Sequence, residues 1–507
     1  MNMFMEGLSY FTGNPTTLIL LCFGVFFGLI FGCIPGLTAT LGVILMTPFT
    51  FLMGPEQGLS MLIGIYVGGI SGGLITAILI NIPGTPSSLV TCWDGYPLAQ
   101  QGYTGTALSL AVFSSLVGGL FSAFALMLIA PQLAKVALMF GSWEYFTLIL
   151  LGLSVVTMLT ASDPAKGLLA AFLGLLFGAV GMDKITGIKR LTFGFWQIEA
   201  GLAIIPILMG FFAIREILLQ VEQFGGRKLQ FLSTKEKKRP ILPPKWTLKG
   251  GLMPAIIGCT IGTVIGMLPG VGQSTAAVMS YNQTKAFSKT PEKFGKGSTQ
   301  GIIASETSNN AVNGGALIPL VTLGIPGDMV TAVLIGGLMI HGLQPGPMLF
   351  RTNPGLIGAI IIAYFLANIF MYIMEMGLLG VFIKIAKIPL SYLFTGILMT
   401  CILGVFAASN RYFDVLILFV FGIVGYVLDK GGFSFPPIVL GYFLGPLLES
   451  SFRISMISSR GNFSELFNRP MALFFFTAAI AMLVGPFASR MISNTIKLRH
   501  TKKFSKK

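Results

Sequence analysis

The sequence predicts an all-α polytopic membrane protein with about 12 membrane segments in two duplicated halves. Of its 507 residues, 54% are hydrophobic and only 10% are charged, whereas soluble domains carry about 25% charged residues. Uncharged runs such as 18–55 and 98–134 are longer than the roughly 20 apolar residues that one membrane-spanning helix needs. Because backbone in lipid must satisfy its own hydrogen bonds, we expect these spans to be helices.

Two glycine ladders, each with a spacing of four residues, indicate the duplication. The first ends at Pro35-Gly36 and the second ends at Pro269-Gly270, which is 234 residues further on. Glycines at this spacing leave one helix face bare, which lets a second helix approach closely. The ladder glycines are Gly24, Gly28, Gly32 and Gly36 in the first half, and Gly258, Gly262, Gly266 and Gly270 in the second.

Each half also carries a glycine pair that leads through apolar residues to an Ile-Pro-Gly break. Gly72-Gly73 precedes Ile82-Pro83-Gly84, and Gly314-Gly315 precedes Ile325-Pro326-Gly327. Proline and glycine interrupt a helix, so we expect a discontinuous helix or a re-entrant hairpin at both places. Interrupted segments at matching places of two halves are the strongest sequence indication of a transporter's binding site.

Basic segments mark the predicted boundaries of the two halves. The formal net charge is +15, and most of it lies in 222–249 and in the C-terminal tail. Basic clusters beside apolar spans follow the positive-inside rule and do not indicate nucleic-acid binding. We therefore expect a first membrane half at 1–221, a cytoplasmic linker at 222–249, a second membrane half at 250–495, and a cytoplasmic tail at 496–507.

Polar residues at the breaks form the predicted substrate site. Helix N-termini at such breaks favour anions, and hydroxyl groups donate hydrogen bonds to carboxylates. No arginine lies in either break, so backbone and hydroxyl donors would have to do most of that work. We expect the substrate to contact Gly36, Thr38, Asn81, Pro83, Gly84, Thr85, Ser87, Ser88, Asn310, Asn313, Gly314, Pro326 and Gly327.

Acids and amides beside the breaks are the predicted ligands of a coupling ion, either sodium or a proton. They are Asn309, Glu306, Asp328 and Asp94, and each acid also has a simpler interpretation as a cap or turn residue. The only histidines, His341 and His500, leave no set for a histidine-built metal centre. Sodium is therefore the one metal that we expect, and we expect no cofactor.

Several classes of protein are excluded or disfavoured by the sequence. It contains no P-loop, no HExxH motif and no paired carboxylates at enzyme spacing, so we do not expect an enzyme. A channel would need a continuous polar pore lining, whereas the acids and amides here cluster in two places. The residues by themselves predict a duplicated carrier with an anion-compatible site. A stand-alone anion carrier or a channel remains as the alternative.

Long motifs in both halves carry a resemblance to a known family. They are 64–69, 81–88, 94–97, 294–297, 306–315, 323–327 and 341–347, with Gly445-Pro446, Glu449, Arg453 and Arg469-Pro470 near the end. In these segments the chain resembles the large membrane subunit of the tripartite tricarboxylate transporters, the TctA family.

The resemblance implies a function and a set of partners. The function is uptake of a carboxylate, either a citrate-like tricarboxylate or a dicarboxylate, across the bacterial inner membrane, driven by a sodium or proton gradient. The implied partners are a small four-span membrane subunit and a periplasmic solute-binding protein that delivers the solute. Besides the substrate, membrane lipid is the other expected contact.

Overall fold

The computed structural model describes residues 2–160, 163–183, 185–222, 240–386, 388 and 390–485. Most of these residues are helical, and their only sheet is a hairpin of Gly181–Met182 with Lys189–Arg190. The helices are α1 (Asn2–Thr12), α2 (Pro15–Cys33), α3 (Ala39–Thr50), α4 (Pro55–Ile80), α5 (Leu89–Leu98), α6 (Thr104–Ala137), α7 (Ser142–Thr160), α8 (Pro164–Gly178), α9 (Ile204–Met209), α10 (Arg215–Glu222), α11 (Lys245–Leu248), α12 (Leu252–Met267), α13 (Gly272–Phe287), α14 (Thr299–Leu323), α15 (Met329–Ile340), α16 (Leu349–Thr352), α17 (Pro354–Gly377), α18 (Leu379–Ile385), α19 (Leu390–Ser409), α20 (Tyr412–Lys430), α21 (Phe435–Ser458) and α22 (Pro470–Gly485).

Within the described residues, seven helical segments are long and apolar enough to cross a membrane. The chain is therefore a multi-pass helical membrane protein, as its composition predicted, while the number of about 12 segments stays a prediction. The seven segments are Pro15–Cys33, Pro55–Ile80, Pro86–Ala137, Ile204–Glu222, Pro354–Gly377, Tyr392–Ser409 and Tyr412–Lys430.

The chain divides into two compact units. Unit 1 comprises Met1–Leu138 and Ala203–Val427, and unit 2 comprises Met139–Leu202 and Leu428–Lys507. Each unit therefore takes segments from both of the halves predicted from the sequence. Most of the predicted basic linker and the whole predicted tail lie outside the described residues, so the predicted boundaries stay predictions.

In unit 1 the first glycine ladder packs α2 directly against α4. A Cβ placed on Gly28 would lie 2.4 Å from the carbonyl oxygen of Ile65, so only a bare face allows this approach. The contacts advance together along both helices, from Gly24 with Met61 to Gly32 with Gly69. The two helices are therefore parallel, and α3 returns the chain between them.

The second ladder packs α12 against α14 in the same way. A Cβ on Gly262 would lie 2.4 Å from the carbonyl oxygen of Ser308, and a Cβ on Gly266 would lie 2.4 Å from that of Val312. The contacts again advance in the same direction along both helices. Helix α13 returns the chain between them, as α3 does for the first pair.

Both long helices end where the Pro/Gly breaks predicted. Helix α4 ends at Asn81, which has a left-handed backbone (φ 56°), and α14 ends at Gly324, which is also left-handed (φ 72°). Glycine and asparagine are the residues that most readily adopt this conformation at a helix C-terminus. A new helix begins soon after each break: the turn Pro86–Ser88 leads into α5, and α15 begins at Met329.

Candidate functional site

A pocket of about 230 Å³ lies where four breaks of unit 1 meet. The chain segments that follow α2, α4, α12 and α14 all contribute to its wall. Its lining residues are Thr38, Ala39, Thr40, Ile70, Thr85, Pro86, Ser87, Gly270, Val271, Gly272, Gln273, Ser274, Met329 and Val330. Both predicted halves thus supply residues to one site.

The starts of four helical segments face this pocket. They are the first residues of α3, α13 and α15 and the turn Pro86–Ser88 that leads into α5. The first N–H groups of a helix lack partners within the helix, and its N-terminus carries a partial positive charge. None of the described lining residues is lysine or arginine. The pocket can therefore attract an anion without a cationic side chain.

Three hydroxyl groups sit together at the break after α4. The Oγ1 atom of Thr85 lies 3.1 Å from the Oγ atom of Ser87 and 2.9 Å from that of Ser88. All three residues are buried, and Thr85 and Ser87 reach the pocket wall. Hydroxyl groups can turn to donate or to accept, so this cluster can offer donors to a carboxylate.

Asp328 is the charged residue nearest to the pocket, and it caps α15. Its Oδ1 atom accepts the backbone N–H of Thr331 at 2.7 Å, and the backbone N–H of Asp328 donates in turn to Thr331 Oγ1 at 2.9 Å. Its Oδ2 atom accepts from the hydroxyl of Tyr66 and from the amide of Gln273. These donors satisfy both oxygens of the carboxyl group, and no basic side chain pairs with it among the described residues.

The amide of Gln273 extends the network to a fourth helix. Nε2 of Gln273 lies 3.3 Å from Oδ1 of Asn313 on α14. The carboxylate of Asp328 therefore ties together α4, α13, α14 and α15 beside the pocket. This arrangement brings Asp328 and Asn313, both predicted from the sequence, into one network.

Glu306 lies in a separate buried cluster at the start of α14. Its carboxyl accepts hydrogen bonds from Thr91 on α5 and, at 3.0 Å, from Ser115 on α6. The side-chain amide of Asn310 donates to the carbonyl oxygen of Glu306 at 3.3 Å. Asn309 is also buried here, and its amide atoms make no hydrogen bond of normal geometry with the described residues.

Asp94 is bound entirely by protein donors. Its Oδ1 atom accepts backbone N–H groups of Gly295, Gly297 and Ser298 at 2.8 to 2.9 Å. Its Oδ2 atom accepts the hydroxyl of Tyr281 at 2.9 Å. The carboxylate thereby fastens α5 to the loop that precedes α14, which accounts for an acid at this position without an ion.

Only some of the residues predicted to contact the substrate line the pocket. Thr38, Thr85 and Ser87 line the pocket. Gly84 and Gly327 let the breaks approach the ladders, since a Cβ on either would lie 2.2 Å from the carbonyl oxygen of Gly32 or Gly266. The predicted residues that are not among the lining residues are Gly36, Asn81, Pro83, Gly84, Ser88, Asn310, Asn313, Gly314, Pro326 and Gly327.

Two residues of the site were missed by the sequence analysis. Tyr66 stands alone among small and aliphatic residues of α4, and Gln273 follows the Pro-Gly of the second ladder by three positions. A phenol in a charge-free span is a signal, because buried polar groups in membranes need partners. The glutamine gave no such signal, because its partners come from three other helices.

Arg453 and Glu449, which belong to the family motifs, lie in unit 2. Arg453 donates to Asp183 Oδ2 at 2.6 Å and to Glu449 at 3.2 Å, and Arg190 of the hairpin also pairs with both acids. The Arg453 guanidinium holds the pKa of Asp183 well below its usual range. These charges fasten the hairpin to α21 within unit 2.

Comparisons with known proteins give one matching family and two similar proteins. A family model described as "Tripartite tricarboxylate transporter TctA family" matches residues 18–440. An uncharacterized 52.8 kDa protein in the TAR-I ttuC' 3' region of Agrobacterium vitis is 37% identical over 484 residues, which is 94% of each chain. An uncharacterized protein in the TAR-II ttuC' 3' region of the same organism is 38% identical over 211 residues, or 42% of this chain and 87% of that protein. No solved structure matches the chain.

Proposed function

Because the chain belongs to the TctA family of the tripartite tricarboxylate transporters, we propose that it is the large membrane subunit of a carrier that uses an ion gradient to take up a carboxylate. The membrane is the bacterial inner membrane, and the substrate is a citrate-like tricarboxylate or a dicarboxylate. The observation that carries this proposal is the pocket at which four helix starts meet.

The chemistry of the pocket supports a small anionic solute. Four helix starts and the hydroxyls of Thr38, Thr85 and Ser87 provide donors, and a carboxylate accepts hydrogen bonds but donates none. The volume of about 230 Å³ is below the roughly 300–1,000 Å³ of pockets for drug-sized ligands. A compact molecule with two or three carboxylates fits these properties, while a large organic ligand does not.

Inverted repeats are the architecture that we propose for the two halves. Leu59 and Ile63, near the start of α4, line one apolar gap together with Leu317 and Leu320, near the end of α14. Contact between the start of one helix and the end of its equivalent supports opposite directions for the two helices. In carriers with inverted repeats the substrate binds where the repeats meet, near the middle of the membrane. The pocket is formed by segments of both halves, which supports this assignment.

The partners and the coupling are part of the same proposal. The word tripartite in the family description implies partner subunits, and the partners of this proposal are a small four-span membrane subunit and a periplasmic solute-binding protein. Sodium or protons drive the uptake, and no organic cofactor takes part. The basic linker and the basic tail face the cytoplasm, as the positive-inside rule requires.

The test is uptake into vesicles that contain the chain and its small partner subunit. A labelled panel of di- and tricarboxylates is offered with an inward sodium or proton gradient, with and without solute-loaded binding protein. Uptake that needs both the gradient and the binding protein supports the proposal and identifies the substrate. Gradient-driven uptake without the binding protein would indicate a stand-alone carrier, and flux that ignores the gradient would indicate a channel.

A pair of variants links that uptake to the pocket. Thr85→Val with Ser87→Ala removes two hydroxyls from its wall, and hydrogen bonds to a charged group contribute about 1.5–3 kcal/mol each. We expect the KM for uptake to rise by at least about tenfold with normal protein yield. Thr477→Val is the matched control, because this exposed hydroxyl bonds only to the backbone of its own helix. An unchanged KM in the double variant would place the substrate elsewhere.

A further inference from the structure

Glu375 is a buried carboxyl that the pocket does not use. It lies near the end of α17 and is fully buried. Its Oε2 atom accepts a hydrogen bond of 2.7 Å from the hydroxyl of Ser71 on α4. Its Oε1 atom has no hydrogen-bond partner among the described residues. One serine is thus the whole polar contact of an acid buried inside a membrane protein.

No cation faces this carboxyl within the part of the chain that the structure describes. The titratable groups that act on it are Cys33 of α2 and Glu306 of α14, and Glu306 carries the same sign of charge. The ionisable residues on the helices packed against α17 form no ion pair with it. Those residues are Glu6, Tyr10, Cys22, Glu56, Tyr66, Lys135, Arg351 and Lys384, and the tyrosines of α17 itself are Tyr364 and Tyr372.

A proton suits this position better than a metal ion does. Hard cations take several oxygen ligands, whereas the described residues hold no group of three or more His, Cys, Asp or Glu side chains that could bind a metal. An unpaired carboxylate in such an apolar setting is costly, so the group takes up a proton instead. The carboxyl of Asp328 has a different environment, because donors on three other residues surround it.

Helix α4 connects this carboxyl with the pocket. Ser71, which binds Glu375, is five residues after Tyr66, which binds Asp328 beside the pocket. A movement of α4 when the pocket opens or closes would therefore change the contact of Glu375 as well. The two sites share one rigid element but none of their ligands.

We propose that Glu375 is a proton-binding site of this carrier, which holds a proton in the described conformation and releases it to water when α4 and α17 separate. The inference rests on the proposed function, since it assigns the coupling ion of that carrier. The step is a simple ionisation of the carboxyl group, in which the O–H bond breaks and the proton passes to water. No oxidant, reductant or further reactant takes part.

Infrared spectroscopy tests the protonation without any transport assay. We expect the purified chain in lipid at neutral pH to show a carbonyl band of a protonated carboxylic acid that Glu375→Gln removes. Glu292→Gln, at an exposed acid in a loop, should leave the band unchanged. A spectrum in which Glu375→Gln removes no such band would overturn the proposal, whatever the uptake assay shows.

Transport then tests the coupling. In vesicles that contain the whole carrier, we expect Glu375→Gln to lower accumulation driven by a proton gradient by at least about tenfold, while exchange of labelled for unlabelled substrate stays within about twofold. Accumulation that stays normal in Glu375→Gln would overturn the coupling role and leave the carrier proposal intact. Absence of any carboxylate uptake by the unmodified carrier would instead count against the proposed function.

A second variant keeps the proposal testable if Glu375→Gln does not fold. If Glu375→Gln gives no folded protein, Ser71→Ala removes the only hydrogen bond to the carboxyl and keeps the acid. We expect Ser71→Ala to move the pH profile of accumulation and to leave exchange unchanged. A pH profile identical to that of the unmodified carrier would contradict the proposal.

Discussion

The breaks after α4 and after α14 have the same backbone conformation at the helix end but carry different side chains. Helix α4 ends in left-handed Asn81 and α14 in left-handed Gly324. Gly84 and Gly327 then pass equally close to a carbonyl oxygen of the neighbouring ladder. The residue that caps the next helical segment is Thr85 in the first break, where the second has an aspartate.

This difference in side chains indicates different roles for the two breaks. The first break holds three neutral hydroxyls, whose hydrogen bonds are largely to one another and can be redirected to a solute. In the second break, the carboxylate of Asp328 is already bound by Tyr66 and Gln273. We therefore expect the first break to recognise the anion and the second break to hold the surrounding helices in place.

The largest effect should come from filling the glycine contacts that the two breaks share. A Cβ on Gly84 or Gly327 would lie 2.2 Å from a backbone oxygen, and overpacking costs typically about 1–3 kcal/mol or more. We expect Gly84→Ala and Gly327→Ala to lose most of the folded protein, as measured by monodisperse yield after detergent extraction. Gly396→Ala is the control, since nothing lies within 4 Å of its added Cβ. A loss of folded protein in only one of the two variants would show that the glycine contacts at the two breaks are not equivalent.

The second prediction compares the two caps. Asp328→Ala leaves donors of Tyr66, Gln273 and Thr331 without their acceptor, and each unsatisfied buried group costs about 1–3 kcal/mol. Thr85→Ala, at the matching position, removes a hydroxyl that makes no capping hydrogen bond and whose hydrogen bonds with Ser87 and Ser88 are worth about 0.5–1.5 kcal/mol each. We expect Asp328→Ala to lower thermal stability clearly more than Thr85→Ala does. Equal melting temperatures would contradict the anchoring role of the second break.

Removing a single donor to Asp328 tests the same anchoring role with a smaller change. Tyr66→Phe removes one donor to Asp328 and keeps the ring, so we expect a destabilisation of about 1.5–3 kcal/mol, smaller than that of Asp328→Ala. Chemical or thermal unfolding in detergent measures the difference. Tyr392→Phe, at a tyrosine that is 75% exposed, should change nothing. If Tyr66→Phe exceeded Asp328→Ala, the contact of the hydroxyl with the Gln273 amide, at 3.4 Å, would matter more than its bond to the carboxylate.

The smallest effect should follow from replacing the left-handed residue at the end of α4. Asn81→Gly keeps a residue that tolerates positive φ, so stability should change by less than about 1 kcal/mol and uptake should be unchanged. Gly324 does not permit the reverse exchange, because a Cβ there would lie 2.7 Å from the carbonyl oxygen of Pro345. Asn81→Val should cost about 1–2 kcal/mol, because a branched side chain is strained in this conformation. Asn81 is exposed, so a loss of uptake in correctly folded Asn81→Gly would place its amide in the substrate site.

The sequence predicted where polar residues gather more accurately than it predicted which of them line the pocket. Thr38, Thr85 and Ser87 were predicted from their position after a Pro/Gly break, and they line the pocket. Asn81 was predicted by the same argument, but the structure gives it a backbone role at the end of α4. A break fixes where polar residues gather, and it does not fix which of them turn towards the solute.

The membrane class, the helix pairs and the breaks followed from the sequence alone, because they depend on local properties. Apolar length specifies spans, glycine spacing specifies a bare helix face, and proline with glycine ends a helix. Only the tertiary structure decided that Tyr66 and Gln273 meet at Asp328, 262 and 55 residues away along the chain. It also decided that Asp94 is occupied by the loop at 295–298. Such contacts join segments whose approach depends on the packing of all the helices between them, and no local pattern encodes that packing.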